Sequence, residues 1–339
     1  MSTAVYGGKI VPSINNESIF VCYTPFHILV SLLLARNMHT VALIIGIDHF
    51  YNGRLIASAL QREVDWIGDV YAIEDKRITA NLIRGNAIQR AIAMVRLKKM
   101  YPDFAPELKG IRASEQTRWY LFHDEPMLSQ YLLNLGLGVY FLVEDGAANY
   151  RKLKWLDRVK NMVKSIIGLY PSMGRSPRIN KILVQEPERL PKDIRHKGIR
   201  LPLQQLMFNV KESDKAIILR QVFPDVSRNI SLGASRHKVL LLTQPFSEDG
   251  LMSEDEKISL YSRVLQHYSH SYIYIKPHPR ERTDYQAVFG GQINIIPREF
   301  PLEILSWYDN VNFDLVITWN SSAINNIDFA KEKLMLDKA

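Results

Sequence analysis

The sequence has 339 residues, of which 47% are hydrophobic, and its 43 Lys and Arg residues outnumber its 35 Asp and Glu residues. This length and composition exclude a disordered or fibrous protein and allow two domains of ordinary size. The net charge of +8 suits an anionic substrate or a membrane surface, and no recognition motif for nucleic acid accompanies it. The single cysteine, Cys22, excludes a disulfide framework and favours a reducing compartment.

The first 150 residues alternate between short β-branched or aromatic runs and helical patterns. The predicted strands are 19–23, 41–45, 70–73, 119–122 and 139–143, and the predicted helices are 26–36, 52–61, 86–100 and 127–135. This alternation predicts a parallel, doubly wound sheet. Between 150 and 200 the pattern weakens, apart from one basic amphipathic helix.

That amphipathic helix, near residues 152–166, carries Trp155, Met162 and Ile166 among five Lys and Arg residues. Its spacing predicts an apolar stripe on the core under a solvated basic face; alternatively, the helix meets anionic lipid or an acidic acceptor. No apolar run reaches the ~18–20 residues of a membrane span, and the first 17 residues lack the pattern of a signal peptide. We therefore predict a cytoplasmic protein with at most a peripheral contact with the inner membrane.

A break in composition at 223–236, which is rich in Ser, Asn, Pro and Gly, predicts a linker. The alternation then restarts, with strands predicted at 239–242, 272–275, 293–296 and 315–318 and helices at 255–267, 302–307 and 320–331. The sequence therefore predicts two Rossmann-like α/β domains, 1–225 and 226–339, that face each other across a cleft.

The most informative motif is Tyr-Ile-Lys-Pro-His-Pro-Arg at 274–280. The prolines Pro277 and Pro279 cannot continue a sheet ladder, so the strand ends there. This leaves His278 at the carboxyl end of a strand, between the cations Lys276 and Arg280. Ligands of open α/β sheets bind at such ends, and the motif therefore predicts an anion site, with phosphate as the expected anion.

Three further positions of the second domain follow strands or open helices. Thr243 and Gln244 end one strand. Ser321 and Ser322 are either ordinary helix caps or phosphate ligands at a helix start. Glu303 either satisfies a helix dipole or binds ribose hydroxyls.

In the first domain, a strand ends on Glu144, Asp145 and Gly146. Adjacent carboxylates repel one another, which is expected to raise the pKa of at least one of them, and a raised pKa suits a general base for a sugar hydroxyl. The glycine allows a sharp turn and close approach of a substrate; an ordinary Asp-Gly turn is the alternative. Asp249 is likewise either part of a turn or an acid in the cleft.

These motifs, in this order, resemble those of the bacterial sialyltransferases and polysialyltransferases, above all glycosyltransferase family 52 and the capsular polysialyltransferases. The likeness extends from about Ser18 to Ile324 and includes the opening Phe-Val-Cys-Tyr-Thr-Pro-Phe at 20–26. It implies a GT-B fold, a CMP–sialic acid donor, and inversion at the anomeric carbon without a metal ion or another cofactor. Relatives also suggest a homodimer.

The resemblance implies a role for each matching residue. His278 contacts the donor phosphate and stabilises or protonates the departing nucleotide, Glu303 holds the cytidine ribose, and Ser321 and Ser322 bind the phosphate. Glu144 matches the general base of several relatives, and Asp249 is the alternative base. The remaining expected substrate contacts are Asp145, Gly146, Thr243, Gln244, Lys276, Pro279 and Arg280.

The resemblance thus implies a sialyltransferase whose acceptor is a glycan of the bacterial surface, either lipooligosaccharide or capsule. Two alternatives remain open. One is a GT-B transferase that uses another nucleotide-linked sugar, since a fold does not fix a substrate. The other is a non-catalytic relative that binds a nucleotide or a glycan.

Overall fold

The described part of the chain forms two β-sheets in which neighbouring strands run parallel. The structure is a computed structural model and describes residues 17–223, 226, 237–308, 311–319, 324 and 327–336. One sheet is built from the first 200 residues, and the other lies between residues 238 and 336.

The strands of the first sheet lie in the order β3-β2-β1-β4-β5-β6-β7. Successive strands are added on one side of β1 up to β3 and on its other side from β4 onward, so the topological switch point lies between β1 and β4. Its strands are β1 Ser18–Cys22, β2 Val41–Gly46, β3 Asp69–Ile73, β4 Arg118–Leu121, β5 Val139–Val143, β6 Ile179–Val184 and β7 Gly198–Arg200. The helices of this half are α1 Pro25–Ala35, α2 Gly53–Glu63, α3 Asp75–Leu82, α4 Ala87–Phe104, α5 Met127–Leu135, α6 Trp155–Ile166, α7 Leu203–Phe208 and α8 Glu212–Ile217. Ligands of such sheets bind at the carboxyl ends of the strands, near the reversal.

The second sheet has the order β10-β9-β8-β11-β12 and reverses between β8 and β11. Its strands are β8 Lys238–Leu242, β9 Tyr272–Lys276, β10 Ile293–Ile295, β11 Phe313–Trp319 and β12 Ala330–Leu336. Its helices are α9 Glu254–His267 and α10 Tyr285–Phe289, and a 3₁₀ turn covers Leu302–Trp307.

Apolar side chains fill both faces of the central strands, because helices cover parallel sheets on both sides. Every residue of β1 and of β2 is buried. One apolar core is continuous from Phe20 of the first sheet to Tyr274 of the second. Asn52 also donates a hydrogen bond to Glu299 Oε1 at 2.8 Å. These contacts hold the carboxyl edges of the two sheets against each other.

The predicted α/β fold of GT-B type, with two Rossmann-like domains and a cleft between them, is confirmed. The linker predicted at 223–236 lies almost entirely outside the described residues, so the domain boundary at 225 stays a prediction. No helix within the described ranges is both long enough and apolar enough to cross a membrane.

Two predicted features are wrong. The helix predicted at 320–331 includes Ala330 and Lys331, which belong to strand β12; most of the rest of that range lies outside the described residues. The apolar stripe of α6 does not pack on the core, since Trp155, Met162 and Ile166 are exposed. The weakly patterned stretch after residue 150 also contains β6 and β7, which the sequence did not predict.

Candidate active site

A cavity of about 210 Å³ lies between the carboxyl edges of the two sheets. The first half of the chain contributes residues 24–26, after β1, and 144–146, after β5. The second half contributes 242–244, 276–279 and 300–303. Most of the site residues predicted from the sequence are therefore brought together, with an acidic segment on one wall and the His-Pro loop on the other.

The acidic segment turns at Gly146, where φ is +125°. This conformation is open to glycine and strained for other residues. Side chains alternate in direction along a strand, so Glu144 and Asp145 enter different surroundings as β5 ends. The two carboxylates consequently differ in every contact.

Glu144 is buried and bound within its own domain. Its Oε2 accepts hydrogen bonds from Tyr150 Oη at 2.7 Å and from the backbone N–H of Gln185 at 2.6 Å. Its Oε1 accepts one from Gln185 Nε2 at 3.2 Å. Both oxygens thus hold the loop after β6 against the end of β5.

Asp145 lies between two histidines. Its Oδ1 is hydrogen-bonded to His27 Nε2, and its Oδ2 is 3.0 Å from His123 Nε2. Burial raises the pKa of Asp145, but electrostatic attraction and hydrogen bonds from the imidazoles of His27 and His123 lower it more, so the pKa lies well below its usual range. The expectation that neighbouring acids raise a pKa is therefore wrong for Asp145, which is ionised at neutral pH.

The two histidines play different parts. His27 is fully buried on α1, stacks on Phe122 with ring centroids 4.3 Å apart, and has a pKa lowered by burial. The side chain of His123, after β4, is 41% exposed. Burial lowers the pKa of His123, but the hydrogen bond and charge of Asp145 outweigh burial, so its pKa is raised. Neither histidine is among the site residues predicted from the sequence.

The ring nitrogens of His27 and His123 and an oxygen of Asp145 lie within 4.8 Å of one another, close enough to share a metal ion. The hydrogen bonds of His27 disfavour that use. Its Nδ1 accepts the backbone N–H of Tyr23 at 3.1 Å, so the proton of the neutral ring is on Nε2, facing Asp145. A metal at Nε2 requires that proton to move to Nδ1, against the Tyr23 N–H. These three side chains therefore suit the binding of a proton better than the binding of a metal ion.

His278 forms part of the opposite wall and is held by its own loop. Its backbone N–H donates to Glu281 Oε2 at 2.6 Å, and its Nδ1 accepts the backbone N–H of Arg280 at 3.2 Å. The neutral ring therefore carries its proton on Nε2. Burial, followed by the charges of Arg280 and Lys276, lowers the pKa of His278 to about 4. Asp145 acts on the same pKa in the opposite direction, so the two walls influence each other electrostatically.

Glu281 organises the loop around His278, although the sequence analysis did not select it. It is 2% exposed and accepts hydrogen bonds from the Thr243 hydroxyl, from Tyr285 Oη at 2.6 Å and from the backbone of His278. Lys257 Nζ lies 3.7 Å from its Oε1. A signal was present in the sequence, because a carboxylate three residues after a proline-flanked histidine can cap the turn that holds it.

Lys276 and Glu303 line the cavity from buried positions. Lys276 Nζ donates to the carbonyls of Pro277 at 2.9 Å and Arg298 at 3.1 Å, and burial lowers its pKa to about 8. Burial also raises the pKa of Glu303, and Lys276 offsets part of that rise. Gln244 lines the same wall, with its backbone N–H 2.7 Å from Tyr261 Oη.

The other predicted site residues differ in where they stand. Asp249 and Arg280 form a bidentate ion pair at 2.5 and 3.0 Å, and neither lines the cavity. Pro279 does line it. Ser321 and Ser322, predicted to bind phosphate, lie outside the described residues.

Comparison with known proteins gives one family. The model of the family described as glycosyltransferase family 52 matches residues 77–335. A protein of Haemophilus influenzae, described as uncharacterized, is 30% identical over 261 residues, which are 74% of this chain and 82% of that protein.

The solved structures to which this chain is similar include the spinosyn rhamnosyltransferase SpnG complexed with thymidine diphosphate. It is 13% identical, with a TM-score of 0.47, over 90% of this chain and 76% of SpnG. A UDP-GlcNAc 2-epimerase from Methanocaldococcus jannaschii, in complex with UDP-GlcNAc and UDP, is also 13% identical. Its TM-score is 0.46, over 94% of this chain and 88% of the epimerase.

Proposed function

The chain belongs to glycosyltransferase family 52, and on that basis we propose that this glycosyltransferase moves sialic acid from CMP–sialic acid to a hydroxyl group of a bacterial surface glycan. The observation that carries the proposal is the cavity between the two sheets. One wall presents the ionised carboxylate of Asp145 and the other the neutral imidazole of His278. Transfer of a glycosyl group needs an acceptor for a hydroxyl proton and a donor of hydrogen bonds to the leaving phosphate.

Asp145 is the general base in this proposal, in place of Glu144 or Asp249. Glu144 is 5% exposed and is held by Tyr150 and Gln185, neither of which can take up a proton, whereas the partners of Asp145 are imidazoles. Asp249 is paired with Arg280 and lies outside the cavity lining. The Asp145 side chain is 22% exposed, lines the cavity, and is oriented by two imidazoles. Its low pKa makes it a weak base alone, and His123, whose pKa is raised, shares the proton with it.

His278 assists the leaving group. Its Nε2–H is the free donor of the neutral ring, since Nδ1 is occupied by the Arg280 N–H. A phosphate beside it favours the imidazolium form, so donor binding raises the His278 pKa and strengthens the hydrogen bond. In the proposal, Glu303 binds the cytidine ribose of the donor, since its buried carboxyl group lines the same cavity. The phosphate contacts assigned to Ser321 and Ser322 rest on the family resemblance.

The proposed reaction is a single displacement. The acceptor oxygen attacks the anomeric carbon as its proton passes to the Asp145–His123 pair. The bond from that carbon to the phosphate oxygen breaks, and its electron pair leaves with CMP, stabilised by His278. Because base and leaving-group partner occupy opposite walls, the new bond forms on the face opposite the old one, which inverts the anomeric centre.

A donor screen tests the proposed function. Purified full-length protein is mixed with a desialylated bacterial surface glycan and with CMP–sialic acid, UDP-linked sugars or GDP-linked sugars in turn, and released nucleotide is measured. We expect turnover with CMP–sialic acid, an inverted product by NMR, and the same rate after treatment with EDTA. Stabilisation of the fold by CMP in a thermal shift assay is the matching binding readout.

The variants Asp145→Asn and Asp249→Asn serve as a matched pair in the same screen. We expect the first to lose turnover and the second to keep it, with both retaining the thermal shift with CMP. Release of UDP or GDP without release of CMP overturns the sialyl assignment. If CMP stabilises the fold but none of the donors is turned over with the acceptor glycan, the result favours the non-catalytic alternative.

A further inference from the structure

Helix α6, Trp155–Ile166, is attached to the protein by its polar side. The only buried residue of the helix is Asn161. Its side chain exchanges hydrogen bonds with the backbone of Ser172, at 3.3 and 3.0 Å. Lys164 lies on the same side and donates to Glu125 Oε1 at 3.0 Å and to Ser172 Oγ at 3.1 Å. A helix on a soluble protein ordinarily buries its apolar stripe instead.

The apolar side of α6 faces outward. Five large side chains on it are between 46% and 75% exposed, namely Trp155, Leu156, Met162, Val163 and Ile166. At 100° per residue, these side chains and Val159 cover about 120° of the helix surface. They form one continuous apolar face that no described part of the chain covers.

Cations border this apolar face on both sides. By the same rotation, Arg158 lies about 40° beyond one edge of the face and Lys160 about 40° beyond the other. Both side chains are exposed, as are Lys152 and Lys154 just before the helix. The single acid of the helix, Asp157, is turned away from the face and accepts hydrogen bonds from Arg151 and from the backbone of Lys154.

This pattern fits a lipid surface better than a second copy of the chain. In a symmetric dimer through α6, the cationic borders of the two helices approach each other and repel. An anionic bilayer attracts the same cations and accepts the apolar side chains below its headgroups. Tryptophan at the end of such a helix is the side chain that prefers the interface. We propose that α6 docks this protein on an anionic lipid surface, with its apolar face among the acyl chains and Arg158 and Lys160 on the headgroups.

The position of α6 relates this surface to the cavity. The helix begins nine residues after Gly146, and Glu125, which holds Lys164, stands two residues after His123. Helix α6 therefore lies beside the carboxyl edge of the first sheet.

Vesicle binding tests the docking proposal without any donor or acceptor, so its outcome is separate from that of the proposed function. Full-length protein is sedimented with vesicles of phosphatidylcholine alone or mixed equally with phosphatidylglycerol. We expect binding to the mixed vesicles only, weakening as ionic strength rises. Reversal of the two border charges, in Arg158→Glu/Lys160→Glu, should weaken binding roughly 30-fold or more. Loss of two apolar side chains, in Trp155→Ser/Ile166→Ser, should weaken it at least about tenfold.

Matched controls change the same chemistry elsewhere on the surface. Phe208→Ser removes an aromatic side chain that is 85% exposed on α7, and Lys192→Glu/Lys211→Glu reverses two exposed charges; both should bind vesicles as the parent does. Equal binding to both kinds of vesicle, or unchanged binding of the two α6 variants, overturns the proposal. A dimer through α6 also overturns the proposal. It would appear in sedimentation velocity without lipid as a dimer of the parent protein that Trp155→Ser/Ile166→Ser converts to a monomer.

Discussion

The two walls of the cavity hold their reactive groups in opposite ways. On the wall from the first sheet, two imidazoles surround Asp145 and keep its carboxylate charged. On the wall from the second sheet, burial and the cations Arg280 and Lys276 keep the imidazole of His278 neutral. Both pKa values lie below their usual range, so at neutral pH the carboxylate is charged and the imidazole is uncharged. In the proposed reaction, this difference in charge gives proton acceptance to the first wall and hydrogen-bond donation to the second.

The largest effect is expected at Asp145. The variant Asp145→Asn keeps the shape of the side chain and removes the charge, so we expect kcat to fall by about 10³-fold or more. Steady-state kinetics with CMP–sialic acid measures the fall. The variant Glu144→Gln tests the competing assignment. If kcat falls as far in that variant while Asp145→Asn keeps a kcat near that of the parent, Glu144 is the base instead.

A smaller effect is expected at His278. His278→Asn retains an acceptor near the Nδ1 position for the Arg280 N–H but lacks the Nε2 donor, so we expect kcat to fall roughly 10²-fold. His278→Gln places an N–H near the Nε2 position and should recover part of the rate. No difference between Asn and Gln at this position would contradict the donor role.

Glu144 is expected to affect stability rather than rate. The Glu144 carboxylate accepts two hydrogen bonds from Gln185, which tie β5 to the loop after β6, and one from Tyr150. Glu144→Gln should therefore lower the free energy of unfolding by about 1–3 kcal/mol. We expect kcat at a temperature where both proteins are folded to stay within about tenfold. Urea unfolding followed by circular dichroism gives the first quantity and donor turnover the second.

The smallest effect concerns pH. The pKa of His278 is about 4 in the folded protein and about 6.5 in an unfolded chain. Between these values the unfolded chain binds more protons, so stability falls as the pH falls. Allowing for the partial exposure of the ring, we expect its share of the loss from pH 7 to pH 5 to be about 1 kcal/mol. The variant His278→Asn should lose that much less stability than the parent between pH 7 and pH 5. An equal pH dependence of the unfolding free energy in variant and parent would show that the ring is not held neutral.

Strands β1–β5 and β8–β11 were predictable because their apolar runs end at polar or proline residues, as at Lys276 and Pro277. The choice between Glu144 and Asp145 was not, since the partners that decide it, His27 and Gln185, lie 118 and 41 residues away in the chain. Neighbouring positions at a strand end point in different directions, and only tertiary contacts show which one faces the cavity. The signal available in the sequence was His27, which comes three residues after Thr24 in the turn that follows β1 and so lies near the same sheet edge as Asp145.

Helix α6 and strand β12 show two further limits. Periodicity gave α6 its apolar stripe but not the side by which it is attached, which depends on Asn161 and Ser172. The alternating charges of 331–333 resemble an exposed helix, although the same charges suit the edge of a sheet, where they discourage pairing with another chain. In both segments the local pattern is compatible with two environments, and long-range packing selects one.

The central place of β1 sets the order in which a growing chain can complete its fold. β1 pairs on one side with β2, which arrives within thirty or so residues, and on the other with β4, which begins at Arg118. Until that segment leaves the ribosome, an apolar strand edge stays open to wrong partners. The same delay recurs in the second sheet, where β8 waits for β11. Fragments that stop before residue 118 should therefore aggregate.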